Sequence, residues 1–200
     1  MQHNRQIDGL APSLQKDIRL AVDVLEQGGL ILYPTDTVWG IGCDAFHEGA
    51  LHRLRSARGV PPDEPLVVIV DSLEMMKRYV RHLHPRIETL LAYHQRPLTV
   101  ICEDLMNVPP YLLGSQPSLA MRIVRDAACQ SVVQLFGRPV VASIAAKKGH
   151  YAPSALNEVQ LEIIRHVDLT IQTVREQPAC GKPSVMVRYT SEGELIFLRK

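Results

Sequence analysis

The sequence lacks most of what would mark a specialised environment. Only four of its 200 residues are cysteine, at positions 43, 102, 129 and 180, and no two form a C-x-x-C pair. That spacing argues against a zinc site or a disulfide framework and fits reduced, mostly buried thiols in a cytoplasm. An excess of one charge is missing too: 22 Lys and Arg against 21 Asp and Glu leave a net +1. No global field advertises nucleic acid or a membrane surface, so any basic surface has to be local. No apolar run approaches the roughly 18 residues of a membrane span, and Met1–Gly9 lacks the apolar core of a signal peptide. Neither G-x-x-x-x-G-K-[ST] nor G-x-G-x-x-G occurs, which excludes a P-loop and a Rossmann turn as the means of holding a nucleotide. His82 and His84 alternate like strand neighbours, but without a Cys/Asp cluster beside them metal binding is not expected.

What is present is the composition of a globular protein, 46% hydrophobic and 22% charged. A chain of this length can bury about 70% of its unfolded surface. Residues 1–10 have no clear periodicity and read as an arm, and 11–200 as one domain without linker or repeat. Helical spacing predicts a helix from a Ser13 cap through Leu25, a second over 48–57, a third after Asp71 or Ser72 through Val80, and a fourth over 86–94. Asp126 caps a fifth, closed by Gly137, and Ser154 a sixth running through Ile164. Apolar strands are expected at 65–70, 98–102, 119–123, 139–145 and 169–173, with a terminal hairpin of 184–189 and 195–198. Helices alternate with strands but the chain ends in a hairpin, which predicts an α/β fold with a twisted mixed sheet.

One stretch organises the chain. Leu30–Tyr33 is a short apolar run suited to a buried strand, and Pro34, lacking an N–H, should end it or lie at a sheet edge. Thr35, Asp36 and Thr37 then place two hydroxyls and a carboxylate on a turn. Val38–Cys43 resumes apolar, with Gly40 and Gly42 on one strand face, where a ligand or another backbone can approach closely.

The run Tyr-Pro-Thr-Asp-Thr-Val-Trp-Gly-Ile-Gly-Cys-Asp-Ala over 33–45 resembles the signature of the YrdC/Sua5 family, the threonylcarbamoyl-AMP synthases, with Trp39 where tyrosine is usual. The resemblance extends over about residues 14–198. Arg58 fits the arginine of the family's Lys-x-Arg pair, and Arg96-Pro-Leu-Thr99 resembles Gly-Pro-Leu-Thr. Met121-Arg122-Ile123 resembles Val-Arg-Val, Gly137–Val141 matches the approach to Ser-Thr-Ser-Ala-Asn, and Pro183-Ser184-Val185 fits Pro-Ser-Thr in two positions. Departures stand beside these matches. The family lysine falls on Ser56, with Arg55 reaching its slot only by a one-residue shift. The motif serine and asparagine fall on Ile144 and Ala146, although Ser143 is one residue away. Glu64 places a carboxylate in the loop after Arg58, and Lys147 and Lys148 follow the altered motif.

The resemblance implies a YrdC-like domain whose helices and sheet enclose an open concave cleft. It implies that ATP, as substrate and with Mg²⁺, meets L-threonine and bicarbonate there to give threonylcarbamoyl-AMP for the t6A modification of tRNA in the cytoplasm. The candidate binding residues are Thr35, Thr37, Arg58, Thr99, Arg122, Ser143 and Ser184. No protein nucleophile is expected, because adenylyl transfer needs positioned reactants and fixed cations. The alternative is a degenerate paralogue that binds nucleotide, tRNA or double-stranded RNA without catalysis, through arginines such as 53, 55, 58, 122 and 125.

Overall fold

The computed structural model describes residues 7, 9–171, 181–190 and 194–200. The chain opens with α1 (Pro12–Glu26), then β1 (Ile31–Pro34), β2 (Trp39–Gly42), α2 (Glu48–Arg58), β3 (Val67–Val70), α3 (Leu73–Met76) and α4 (Pro85–Tyr93). It continues with β4 (Leu98–Cys102), β5 (Leu119–Ile123), α5 (Ala127–Phe136), β6 (Val140–Val141) and β7 (Ser143–Ile144). It ends with α6 (Leu161–Ile164), β8 (Leu169–Thr170), β9 (Val185–Tyr189) and β10 (Leu195–Arg199). This is a mixed α/β fold, as the alternation predicts.

The mixed sheet is divided in two. Four strands run in the order β7-β2-β1-β8, and six in the order β10-β9-β4-β5-β3-β6. Both sheets mix parallel and antiparallel neighbours: β1 pairs antiparallel with β2 and parallel with β8, while β5 pairs parallel with β3 and antiparallel with β4. The strand expected over 139–145 explains the division. It breaks at Ala142, so Val140 and Val141 pair with β3 while Ser143 and Ile144 pair with β2. Backbone bonds secure the crossing, from Ala142 N to Val67 O at 2.8 Å and from Ala145 N to Trp39 O at 3.0 Å. One short segment therefore joins the two sheets.

The core is continuous across both sheets and takes in Ile18 and Leu25 of α1, Leu51 and Leu54 of α2, and Val132 and Val133 of α5. Pro34 ends β1 as its missing N–H requires. The two strand glycines have separate uses: a Cβ on Gly42 would stand 2.4 Å from the Val141 carbonyl oxygen, whereas Gly40 borders a cavity.

Several expectations are corrected. The cap of α1 is Ala11, without a side-chain bond, and Pro12 occupies the first turn, where its missing N–H costs nothing. Ser72 does cap α3, through Met75 N, but the helix stops at Met76. The helix expected from Ser154 is a 3-10 turn, Leu156–Glu158, separated from α6 by extended residues at Val159 and Gln160. Here Ser154 spends its N–H and hydroxyl on the Glu158 carboxylate, at 2.7 and 2.9 Å, while the Gln160 side chain is drawn to Lys147 and His150. His82 and His84 lie in no strand: His82 pairs with Asp104 and His84 caps α4.

Ile7 is fully buried and Leu10 packs on the core. Cys43, Cys102 and Cys129 are buried thiols, and Cys180 lies outside the described residues. So do residues 172 and 173 of the strand expected over 169–173 and residues 191–193 of the hairpin turn. Among the described residues no helix is long and apolar enough to cross a membrane.

Candidate functional site

The turn that ends β1 is built from its own side chains. Thr35 Oγ1 donates to Val38 O at 2.8 Å and accepts from the N–H groups of Thr37 and Val38. The Thr35 and Thr37 hydroxyls lie 2.8 Å apart, and Thr37 Oγ1 accepts from Arg122 Nη1 at 3.1 Å. Arg122 lies on β5, and its buried guanidinium also pairs with Asp36 at 3.2 Å. A buried arginine survives because it is paired. Its Nε–H nevertheless has no hydrogen-bond partner among the described residues.

Register carries this arrangement across the larger sheet. Arg122 stands opposite Thr99 of β4, Thr99 beside Met186 of β9, and Met186 opposite Arg199 of β10. Directly opposed residues share a face. A register shift between Phe197 and Arg199 inserts one residue into β10 and aligns Arg199 with Met186. Thr99 is fully buried, and its hydroxyl meets Ser184 Oγ at 2.7 Å. Ser184 in turn accepts from Arg199, at 2.7 Å through its carbonyl oxygen and 3.1 Å through its hydroxyl.

The third arginine arrives from the opposite side. His47 caps α2 by accepting from Ala50 N, and Gly59 closes it in the left-handed conformation, so Arg58 stands on the last helical position. Arg58 donates to Ser143 Oγ at 2.7 Å and to Ala146 O at 3.1 Å. These groups border one cavity of about 260 Å³, lined by Thr35, Thr37, Gly40, Arg58, Glu64, Arg122, Ser143, Ile144, Ser184, Met186 and Arg199 among others. Burial lowers the Arg58 pKa from its usual value and nearby Glu64 opposes the shift. Burial, then the like charge of Arg122, lowers that of Arg199. Three guanidiniums stand against one carboxylate among the lining side chains, which gives the cavity a positive potential suited to an anion.

Six of the seven residues singled out from sequence thus border one cavity: Thr35, Thr37, Arg58, Arg122, Ser143 and Ser184. Thr99 does not line it but stands directly behind Ser184. Ser143 and Ile144 both border the cavity, and it is the Ser143 hydroxyl that meets Arg58. Arg199 and Asp36 were not singled out. Asp36 was visible as a turn carboxylate, whereas nothing local marks Arg199, whose position depends on a bulge.

The altered positions sort differently. Ser56 opens onto a separate groove with His52, Arg53, Arg165, His166 and Asp168. Arg55 is buried, bonding to Tyr111 O at 3.3 Å, and lines no part of the cavity. Of the five arginines considered for RNA, Arg55 and Arg122 are buried, while Arg53 pairs with Asp168 at 2.9 Å on the surface. Glu64 does border the cavity, but Lys148 Nζ lies 3.0 Å from its carboxylate. Among the described residues no group of three or more His, Cys, Asp or Glu could hold a metal ion. The carboxylates nearest the arginines, Asp36 and Glu64, are engaged by cations.

The family model Sua5_yciO_yrdC, described as "Telomere recombination", matches residues 23–200. Threonylcarbamoyl-AMP synthase of Escherichia coli strain K12 is 30% identical over 154 residues, 75% of this chain and 81% of that protein. The enzyme of that name from Pyrococcus abyssi is 27% identical over 155 residues, 77% of this chain but 46% of the longer relative. The crystal structure of P. abyssi Sua5 complexed with L-threonine superposes with a TM-score of 0.82 at 26% identity, covering 91% of this chain and 53% of that one. The chain thus spans about half the length of the Pyrococcus protein.

Proposed function

The chain belongs to the Sua5/YciO/YrdC family, and on that premise we propose that its cavity binds ATP and L-threonine and carries out adenylyl transfer of the threonylcarbamoyl-AMP synthase type. The observation that carries this reading is the convergence of Arg58, Arg122 and Arg199 on one cavity. A triphosphate would be met from two sides, by Arg58 on the end of α2 and by Arg199 on β10, each able to present a planar fork of donors. Arg122, with its unsatisfied Nε–H, faces the hydroxyls of the Thr35–Thr37 turn. That corner suits the amino acid, whose carboxylate would face the Arg122 guanidinium and whose bound form is known in the Pyrococcus relative.

In the reaction the L-threonine amine forms a bond to the bicarbonate carbon as one of that carbon's C–O bonds breaks, giving a carbamate and water. One carbamate oxygen forms a bond to the α-phosphorus of ATP as the bond from that phosphorus to the pyrophosphate oxygen breaks. Pyrophosphate leaves and threonylcarbamoyl-AMP remains. No side chain need form a covalent bond. The arginines would hold the reacting groups in line and offset charge on the departing pyrophosphate, where fixed donors act most strongly. Mg²⁺ would enter on the nucleotide's own phosphates, whose oxygens it would bridge with waters in its remaining positions. The product would then serve a separate tRNA-modifying step.

The test is pyrophosphate release from ATP with each reactant omitted in turn. Release requiring both L-threonine and bicarbonate is expected. Release indifferent to threonine, or ATP bound without any release, would overturn the synthase assignment, the latter in favour of a nucleotide-binding paralogue.

A further inference from the structure

Glu64 and Lys148 come from loops far apart in sequence and meet at the edge of the cavity, with Nζ 3.0 Å from Oε2. Glu64 lines the cavity beside Arg58. The backbone N–H of Lys148 donates to the Arg58 carbonyl at 3.0 Å, so the loop that carries the lysine is tied to the end of α2. The following residue, Gly149, has φ +84°, a left-handed turn that lets the chain leave sharply after the lysine. Lys147 is held elsewhere, through its own N–H to Gln160 Oε1 at 3.0 Å. Both partners of the ion pair are partly solvated, with the lysine side chain 57% exposed. Such a pair contributes little to stability, and its placement therefore calls for another account.

We infer that Lys148 is a mobile phosphate contact of this cavity, parked on Glu64 when the cavity is empty and transferred to the terminal phosphates of a bound polyphosphate. The proposal rests on the reading of the cavity as an ATP site and goes beyond it. It assigns to one loop residue the cation that the end of α2 does not supply, since Ser56 faces a different groove and Arg55 is buried. It also gives Glu64 a use. A carboxylate lining an anion cavity would repel phosphate if it stood alone, whereas paired with Lys148 it cancels that field and keeps the ammonium within reach. Arg58 and Lys148 are then complementary, a planar fork fixed by Ser143 and a flexible point charge that follows the ligand.

The pair can be tested without changing net charge. Inorganic tripolyphosphate and ATP are titrated calorimetrically into the full chain and into Lys148→Ala, Glu64→Gln and the double variant. Lys148→Ala should weaken tripolyphosphate binding about tenfold, because a charge-assisted contact is lost and Glu64 is left unpaired. Glu64→Gln should strengthen it a few-fold by releasing the lysine. The decisive variant is the double one, which has the same net charge as the unmodified protein. If Lys148 touches phosphate, the double variant binds about five- to tenfold more weakly, and Lys148→Arg keeps most of the affinity. If the double variant binds as well as the unmodified protein, the two charges merely cancel and the proposal is overturned while the ATP reading stands. If the unmodified protein binds neither ligand, both fall together. Since the ion pair is partly solvated, all five proteins should unfold at similar urea concentrations, which separates a lost contact from a lost fold.

Discussion

Arg58 is held in place by two bonds, to Ser143 Oγ and to Ala146 O, while its guanidinium still borders the cavity. Its replacement by alanine should therefore remove a phosphate donor without loosening the core. A charge-assisted hydrogen bond contributes about 1.5–3 kcal/mol, so Arg58→Ala should weaken ATP binding at least tenfold, read by calorimetry, with the thermal midpoint little changed. Other buried groups govern pH instead. Burial pushes the Cys102 thiol up to about 12 from an ordinary 9.0, with Glu103 adding to the shift. Burial likewise raises Tyr33, whose hydroxyl donates to Val141 O at 3.0 Å. In both cases the folded chain keeps a proton that the unfolded chain gives up first. Stability should be fully present below pH 9 and fall as pH rises from there, because above pH 9 the unfolded state binds fewer protons. Urea unfolding at stepped pH checks the direction. Stability rising above pH 9 would contradict it.

At the scale of elements, the hairpin of β1 and β2 was the most legible part of the sequence. A buried run, a proline, a polar turn and two glycines on one face all have local causes, and Thr35 and Thr37 appear where those causes put them. What stayed hidden was long-range. Nothing near residue 142 announces that the strand changes sheets there, since Val140–Ile144 reads as one run of small and β-branched residues and the switch is decided by which partner strand lies alongside. Arg199 was hidden for a similar reason: strand alternation fixes a side chain's face only where no bulge intervenes. Ser56 and Arg55 show the converse, because sequence proximity to Arg58 does not carry them to the cavity. The close approach at Gly42 yields a prediction of its own. A methyl group there would meet backbone oxygen at 2.4 Å and the Tyr33 ring at 2.7 Å, and neither can step aside cheaply. Gly42→Ala should destabilise the fold by about 1–3 kcal/mol in urea unfolding.

For the whole molecule, the joining segment around Ala142 implies that the two sheets do not melt separately. Trp39, the single tryptophan, lies in the smaller sheet, whereas far-UV circular dichroism reports on both. Coincident urea transitions by the two probes are expected of one cooperative unit, and a fluorescence change preceding the dichroism change would show that the smaller sheet unfolds alone. Binding depends on the same joining, because Arg58 bonds to Ser143 of the smaller sheet while Arg122 and Arg199 belong to the larger. The central claim is that these three arginines make one ATP site. The most direct test is calorimetric titration of ATP into the unmodified protein and into Arg58→Ala and Arg199→Ala, one arginine from each side of the cavity. Saturable one-to-one binding, weakened at least tenfold by either substitution, is the predicted result, and ATP binding that survives both substitutions unchanged would contradict the account.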